Sequence, residues 1–372
     1  MPSPLSAVVD SNAALVAPLD RRSPIIAPLG KTPRRLLFFG KSMSRTRATG
    51  GLVEAFRDAG LEVEWINIAK SRRWLGKSWA MKRVRARFRR FRPDLIAVFC
   101  RDLPRPLLEE FAVSTPVVMW LEEALDRIDD GYADYMSSVH AVFMTNPARL
   151  PWLYDRGIRH ATFALEGFSP TWHHPESRTR APARDLAFIG GPGKEGIRAH
   201  FLAKIAAKRP LQIFGKGWDS WRRHYPHLDV RRPVGPSGYR RICATTKIVL
   251  GINQINDDPL YFSNRTLLTL ACRGFHLTHY VPKLESVFQD GRHLAWFHDA
   301  DHCLERIAHY LERPEDRDRI AGLGHEEVMA RHQFRHRVQV ILERLRTGSP
   351  SRDELSPILV DEPSSLIGRA AE

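Results

Sequence analysis

Short apolar runs alternate along this chain with longer amphipathic ones, and that alternation leaves few folds open. Leu36-Leu37-Phe38-Phe39 has the length of a strand buried on both faces, and it runs into Gly40. A polar loop through Ser42, Ser44, Arg45 and Thr46 follows. Leu52, Val53, Phe56 and Ala59 then recur at helical spacing, with Gly60 suited to the helix end. Leu61 to Ile66 returns as a strand. A strand–loop–helix–strand unit opens a parallel α/β domain. Further strands are predicted at Asp94 to Cys100, Pro116 to Leu121, Ala141 to Met144 and His160 to Leu165, with a helix over Arg149 to Asp155.

Between Leu165 and Pro182 the rhythm breaks, with Gly167, Pro170, Pro175 and Pro182 among polar residues. A second alternating series begins at Asp185. Strands are expected at Leu186 to Ile189, Leu211 to Phe214, Ile248 to Ile252, Phe275 to Thr278 and His293 to Phe297. Helices fall at Lys194 to Lys208, Ala300 to Leu311 and Arg335 to Leu345, the last with apolar positions to spare for the first domain. At 372 residues the chain has room for two cores. The reading is an α/β protein of two Rossmann-like domains facing a central cleft. A tail spans 1–32, the first domain 33–166, a connection 167–183, the second domain 184–330, a crossover helix 331–346, and a tail 347–372.

Charge is unevenly placed. The net formal charge is +15, and between Ser71 and Arg92 there are ten Lys or Arg residues and no Asp or Glu. Met81, Val84, Phe88 and Phe91 recur within that run at helical spacing, so an amphipathic surface helix is the plain reading. The absence of acid makes it a candidate for docking an anionic acceptor or membrane through residues such as Arg83, Arg87 and Arg90. No nucleic-acid-binding signature accompanies it. Cys100, Cys243, Cys272 and Cys303 are far apart and form no CxxC, which argues against a disulfide scaffold or a thiolate zinc site. Sixteen histidines include no HExxH, and no dedicated metal is expected. Without a signal-peptide pattern or an apolar run long enough to span a bilayer, the expectation is a cytoplasmic protein, with peripheral contact at the inner face of the membrane open.

The chemistry concentrates at strand ends. Phe262 to Phe275 sets Ser263, Asn264 and Arg265 before an apolar run of helical length. A cap, an orienting amide and a cationic fork at one junction suit a diphosphate, which is the preferred reading of Arg265 over a surface ion pair. Gly191 and Gly193 follow a strand and permit either a ligand-facing turn or a simple tight one; neither GxGxxG nor a phosphate-loop motif is present. In Phe214-Gly215-Lys216-Gly217-Trp218, Lys216 is placed to neutralise a phosphate. Trp218 either borders a base or lies under the loop. Glu122 and Glu123 end a strand, where one carboxylate would take an acceptor proton or hold a sugar hydroxyl; a solvated turn is the alternative.

Taken together, four blocks resemble the spore-maturation CgeB-like group of GT-B glycosyltransferases: residues 36–63, Trp120 to Arg127 with Val139 to Ile158, Asp185 to Leu202, and Phe262 to Gly291. The run from His332 to Leu345 is similar to the family tail. The resemblance covers about Arg34 to Leu345. It implies a GT-B-like fold, with a nucleoside diphosphate sugar as co-substrate in the second domain and no tightly bound cofactor. By the same analogy Ser263, Asn264, Arg265 and Lys216 fall on the donor side, and Gly40, Ser44, Arg45 and Glu122 face the cleft. One departure stands out: Leu268 occupies the position where relatives often carry a glutamate, and it cannot accept a sugar hydrogen bond. The expected activity is therefore glycosyl transfer to an unidentified glycan, protein, small-molecule or nucleic-acid acceptor, by a retaining or inverting course. The alternative is an altered or inactive binder of nucleotide, nucleic acid or an anionic surface.

Overall fold

Leu36 to Phe39 build a strand, and Leu52, Val53, Ala55 and Phe56 line the buried face of the helix that follows, in the order the alternation predicts. The computed structural model describes residues 27–30, 32–42, 44, 46–122, 127–177 and 183–348. In the first domain the chain runs β1 (Arg35–Phe39), α1 (Ala48–Asp58), β2 (Glu62–Ile66), α2 (Ile68–Phe91), β3 (Leu95–Phe99), α3 (Arg105–Ala112), β4 (Val117–Leu121), α4 (Asp130–Met136), β5 (Ala141–Met144), α5 (Leu150–Asp155) and β6 (Ala161–Phe163). All strand pairs are parallel, in the order β2-β1-β3-β4-β5-β6. Leu36, Leu37, Phe38 and Phe39 are buried in the core that the sheet shares with α1 and α2, β1 lying one strand in from the edge.

The second domain contains β7 (Arg184–Ile189), α6 (Ile197–Ala206), β8 (Leu211–Phe214), α7 (Asp219–His224), β9 (Asp229–Arg231), α8 (Pro236–Ala244), β10 (Thr246–Gly251), α9 (Arg265–Ala271), β11 (His276–His279), β12 (Ala295–Phe297), α10 (Ala300–Leu311) and α11 (Pro314–Arg331). Its parallel sheet runs β12-β11-β10-β7-β8-β9. Both sheets therefore reverse their winding direction once, between β1 and β3 in the first and between β7 and β10 in the second. Splayed loops at such a switch leave a crevice beyond the carboxyl ends of the strands, where α/β proteins bind ligands.

The last helix, α12 (Phe334–Thr347), leaves the second domain and packs on α1. Phe334 is buried between the two contacts; a Cβ on Gly51 would lie 2.3 Å from its ring, so only glycine fits beneath it. Phe168 and Gln333 form a parallel bridge where the two chain crossings meet. Buried Arg337 donates from Nε to the Leu165 carbonyl (2.8 Å) and from Nη1 to that of Arg331 (2.9 Å), tying the crossover helix to the connection. Leu29 N donates to Leu345 O (2.6 Å), so ordered contacts begin inside the segment expected as an amino-terminal tail. The remainder of both expected tails lies mostly outside the described residues.

Candidate active site

Glu122 sits just past β4, at the carboxyl end of the first sheet. Its Oε1 accepts from Trp120 Nε1 at 2.7 Å, which fixes the carboxylate toward the cleft rather than into solvent. Burial pushes its pKa up to about 7, against the lowering effect of the Trp120 N–H. It lines a cavity of about 360 Å³ together with Ser42, Thr49 and Phe99 of the first domain. His173 of the connection, Asn264 and Leu268 close the far side. His173 is buried against Tyr239, and desolvation lowers its pKa to about 4, so it faces the cleft as a neutral ring.

A second carboxyl approaches from the connection. Glu166 follows β6 by three residues, and its pKa is raised well above the ordinary value, first by burial and then by the charge of Glu122. Arg265 pulls in the opposite direction. Among the described residues no hydrogen bond reaches buried Glu166 Oε2. The two carboxyls, each just past a strand of the first sheet, thus feel each other, and desolvation keeps them from both ionising readily.

Cations collect at the switch point of the second sheet. Arg265, the first residue of α9, donates from Nη2 to the carbonyl of Ile252 (3.3 Å). Arg198, in the first turn of α6, donates from Nε to that same carbonyl (2.9 Å). Burial lowers both pKa values, that of Arg198 to about 10 with the neighbouring Arg265 contributing, and both remain charged near neutrality. Two guanidinium groups on one carbonyl oxygen leave N–H donors over for an anion. The loops around them are held by close backbone approach. A Cβ on Gly215 would lie 1.9 Å from the Gly190 carbonyl oxygen, so the turns after β7 and β8 touch only because position 215 has no side chain. Gly193 adopts φ 84° and keeps the turn before α6 open, where Lys194 N donates to Gln254 Oε1 (2.8 Å).

Two six-stranded parallel sheets, each wound about a switch point and facing the other across a cleft, with a last helix crossing back, settle the architecture. The fold is of the GT-B type. Solved structures agree with it. HepE from Anabaena, in complex with UDP and glucose, superposes with a TM-score of 0.61 at 11% identity, covering 84% of this chain and 99% of that one. Sucrose-phosphate synthase from Thermosynechococcus elongatus gives 0.62 at 11%, with coverage of 84% and 99%. A glycosyltransferase from Rickettsia africae gives 0.62 at 9%, with coverage of 85% and 99%. The model of a family described as glycosyl transferase-like matches residues 198–343. Comparison with curated proteins finds no match.

Within this GT-B frame the residues singled out from the sequence separate into groups. Glu122, Asn264 and Leu268 meet at the cleft, and Arg265 stands behind them beside Glu166. Ser263 is held by Asn253, whose Oδ1 accepts from Ser263 N (2.9 Å), and its own Oγ accepts from Arg265 N (3.4 Å). Ser263 rather than Asn264 thus meets the first free amide of α9. Lys216 is exposed beside Gly191, with its carbonyl oxygen 3.3 Å from a Cβ built there. Gly40 ends β1 at the first switch point and has Phe38, Thr49 and Trp65 close around it. Ser44 is exposed and shares a hydrogen bond with Thr46 Oγ1 (2.9 Å).

Other expectations change. Trp218, considered as a donor contact, is buried in the core under Phe188 and donates its indole N–H to Gly190 O (2.9 Å). An aromatic so enclosed fastens the loop and meets no ligand. Arg87 and Arg90, expected as docking charges, both turn to Glu64 (3.1 and 3.9 Å), and Arg85 pairs with Glu110. Only Arg83 of the three expected docking residues stays exposed without a carboxylate among the described residues. Glu123 and Arg45 lie outside the described residues. Glu166 and Arg198 went unread in the sequence. The signals were present: an acid just past a strand end, and a cation opening the helix after a glycine-rich turn. Among the described residues no cluster of His, Cys, Asp or Glu could hold a metal ion, and no helix is long and apolar enough to cross a membrane.

Proposed function

We propose that the protein transfers a glycosyl group from a nucleoside diphosphate sugar, held mainly by the second domain, to an acceptor that enters over the first. The observation that carries this reading is the guanidinium groups of Arg198 and Arg265 gathered on the Ile252 carbonyl at the second switch point, with Asn264, the neighbour of Arg265, in the wall of the cavity that Glu122 also lines. The GT-B fold and the glycosyl transferase-like match over residues 198–343 support it. So does the likeness to HepE, a protein seen with UDP-glucose, which makes a uridine diphosphate sugar the first donor to try. Membership of the CgeB-like group rests on the motifs already quoted.

Glycosidic cleavage leaves an electron pair and growing negative charge on the diphosphate oxygen. Arg265 and Arg198 would meet that charge with guanidinium groups already held in place by the Ile252 carbonyl. Exposed Lys216 is placed to add its charge at the rim. Glu122, with a pKa near 7, is poised to take a proton from the acceptor hydroxyl or amine as the new bond forms. Burial and the charge of Glu122 hold the Glu166 carboxyl well above the ordinary carboxylate range, and its Oε2 has no hydrogen-bond partner among the described residues. Either stereochemical course leaves the diphosphate at the same two cations.

Leu268 favours a second reading. It presents an apolar surface to the cleft where a sugar hydroxyl would need an acceptor. On that account the protein binds nucleotide without turning it over. Calorimetric titration with UDP, other nucleoside diphosphates and their sugar conjugates, followed by hydrolysis and transfer assays, separates the two. Binding with turnover supports the transferase. Binding alone supports the second reading, and a folded protein that binds none of them defeats both.

A further inference from the structure

The first domain carries an exposed feature that the cleft does not use. Helix α2 is broken at Gly76, where φ 75° and ψ 167° leave the helical region. On either side of the break stand Trp74 and Trp79, 76% and 68% exposed, the largest exposed hydrophobic side chains among the described residues. Exposed tryptophans are costly in water, and two of them within one bend form a patch rather than scattered accidents. Lys70, Arg72, Arg73, Lys77, Lys82 and Arg83 surround them, and among the described residues no carboxylate pairs with any of these. The downstream half differs. There Ala80, Val84 and Phe88 face the domain, Phe88 stacks on Phe111 with ring centroids 4.1 Å apart, and three arginines are taken up by Glu64 and Glu110. The carboxylates that reach α2 thus lie along its downstream half, away from the tryptophans.

We propose that the bend at Trp74–Trp79 docks the protein on the surface of an anionic lipid bilayer. Indole rings have an apolar body and one polar N–H, which suits them to the boundary between headgroups and acyl chains. Lysines and arginines around them meet the negative potential of the same surface. Single-stranded nucleic acid would ask for a charged groove along which bases stack. Here Trp74, Lys77 and Trp79 stand exposed around Gly76, so the shape fits a plane. The segment is also tied to the cleft. Asn67 caps α2 by accepting from Lys70 N (2.9 Å) and donates to the carbonyl of Lys41, next to Ser42 in the cavity wall. Docking therefore sets the bilayer at the end of the first domain from which an acceptor would enter. The docking itself does not depend on the transferase reading.

The test is sedimentation of the full chain with vesicles of mixed phosphatidylglycerol and phosphatidylcholine, and with phosphatidylcholine alone. The expected result is binding to the anionic vesicles, about tenfold weaker on the neutral ones and weakened by salt, with a blue shift of tryptophan emission. Trp74→Ser with Trp79→Ser should lower partitioning by about tenfold at unchanged charge, and phenylalanine at both positions should recover part of it. Because both rings are exposed, circular dichroism and the thermal midpoint should not move, nor should nucleotide titration. Equal binding by the serine variant, equal binding to neutral vesicles, or tighter binding to single-stranded RNA than to anionic vesicles at one ionic strength would each overturn the proposal.

Discussion

Glu122 shows how one side chain's surroundings set both its chemistry and its cost. Its carboxyl has a pKa of about 7 in the folded chain, above the ordinary glutamate value, because burial disfavours the charge. A raised acid favours the folded state at low pH, and that contribution is lost as pH climbs from the unfolded value through about 7. Glu122→Gln should therefore stabilise the protein above pH 7, by ~1–3 kcal/mol, and change little near pH 4; denaturant titration at the two pH values checks it. Transfer activity should rise with pH through about 7 in the native chain and be lost in the variant. Arg265→Ala should weaken UDP binding about 10- to 100-fold, since a charge-assisted contact is removed at a partly desolvated site. Unchanged affinity by titration would remove Arg265 from the anion site. Glu122 stood out in the sequence at a predicted strand end, and Asn264 and Arg265 at the start of a predicted helix. The sequence could not show Glu166, whose role comes from a connection folding back between the domains, nor Arg198, whose partner carbonyl lies fifty-four positions away.

At the scale of elements, the strands were the most legible, since runs such as Leu36 to Phe39 and Val117 to Leu121 are apolar throughout and bounded by glycine or polar residues. Short β9 and helix α8 were missed: Asp229–Arg231 is polar, and α8 starts at Pro236-Ser237-Gly238, which reads as a turn. The 3.6-residue period from Met81 to Phe91 marked the packed half of α2 correctly, but periodicity says nothing of the break at Gly76. Trp218 belongs to this scale too. Trp218→Phe removes the hydrogen bond to Gly190 and should cost ~1–2 kcal/mol while leaving UDP affinity unchanged, measured by denaturation and titration. A loss of affinity with stability intact would return the ring to the ligand site.

For the whole molecule, sequence alternation sufficed for two α/β domains and a cleft, because the break after Leu165 separates two complete series. That the last helix crosses back to the first domain was legible in its spare apolar positions, but the contacts that lock it were not, since they depend on Arg337 reaching backbone carbonyls and on Phe334 filling the space over Gly51. Arg337→Met leaves those carbonyls without their donor at a buried site, so it should lower stability by about 2–4 kcal/mol and split one calorimetric transition into two. A single transition at the native midpoint would show that the domains are coupled elsewhere, as through Asn146 Nδ2 and Asp258 (3.4 Å).

The seat of α12 on α1 has a further consequence during synthesis. The ribosome delivers α1 early and α12 only after the whole second domain, so the nascent first domain must wait with one apolar flank unshielded. Its assembly ends not when its own sheet is translated but when a helix made long afterwards arrives to cover it.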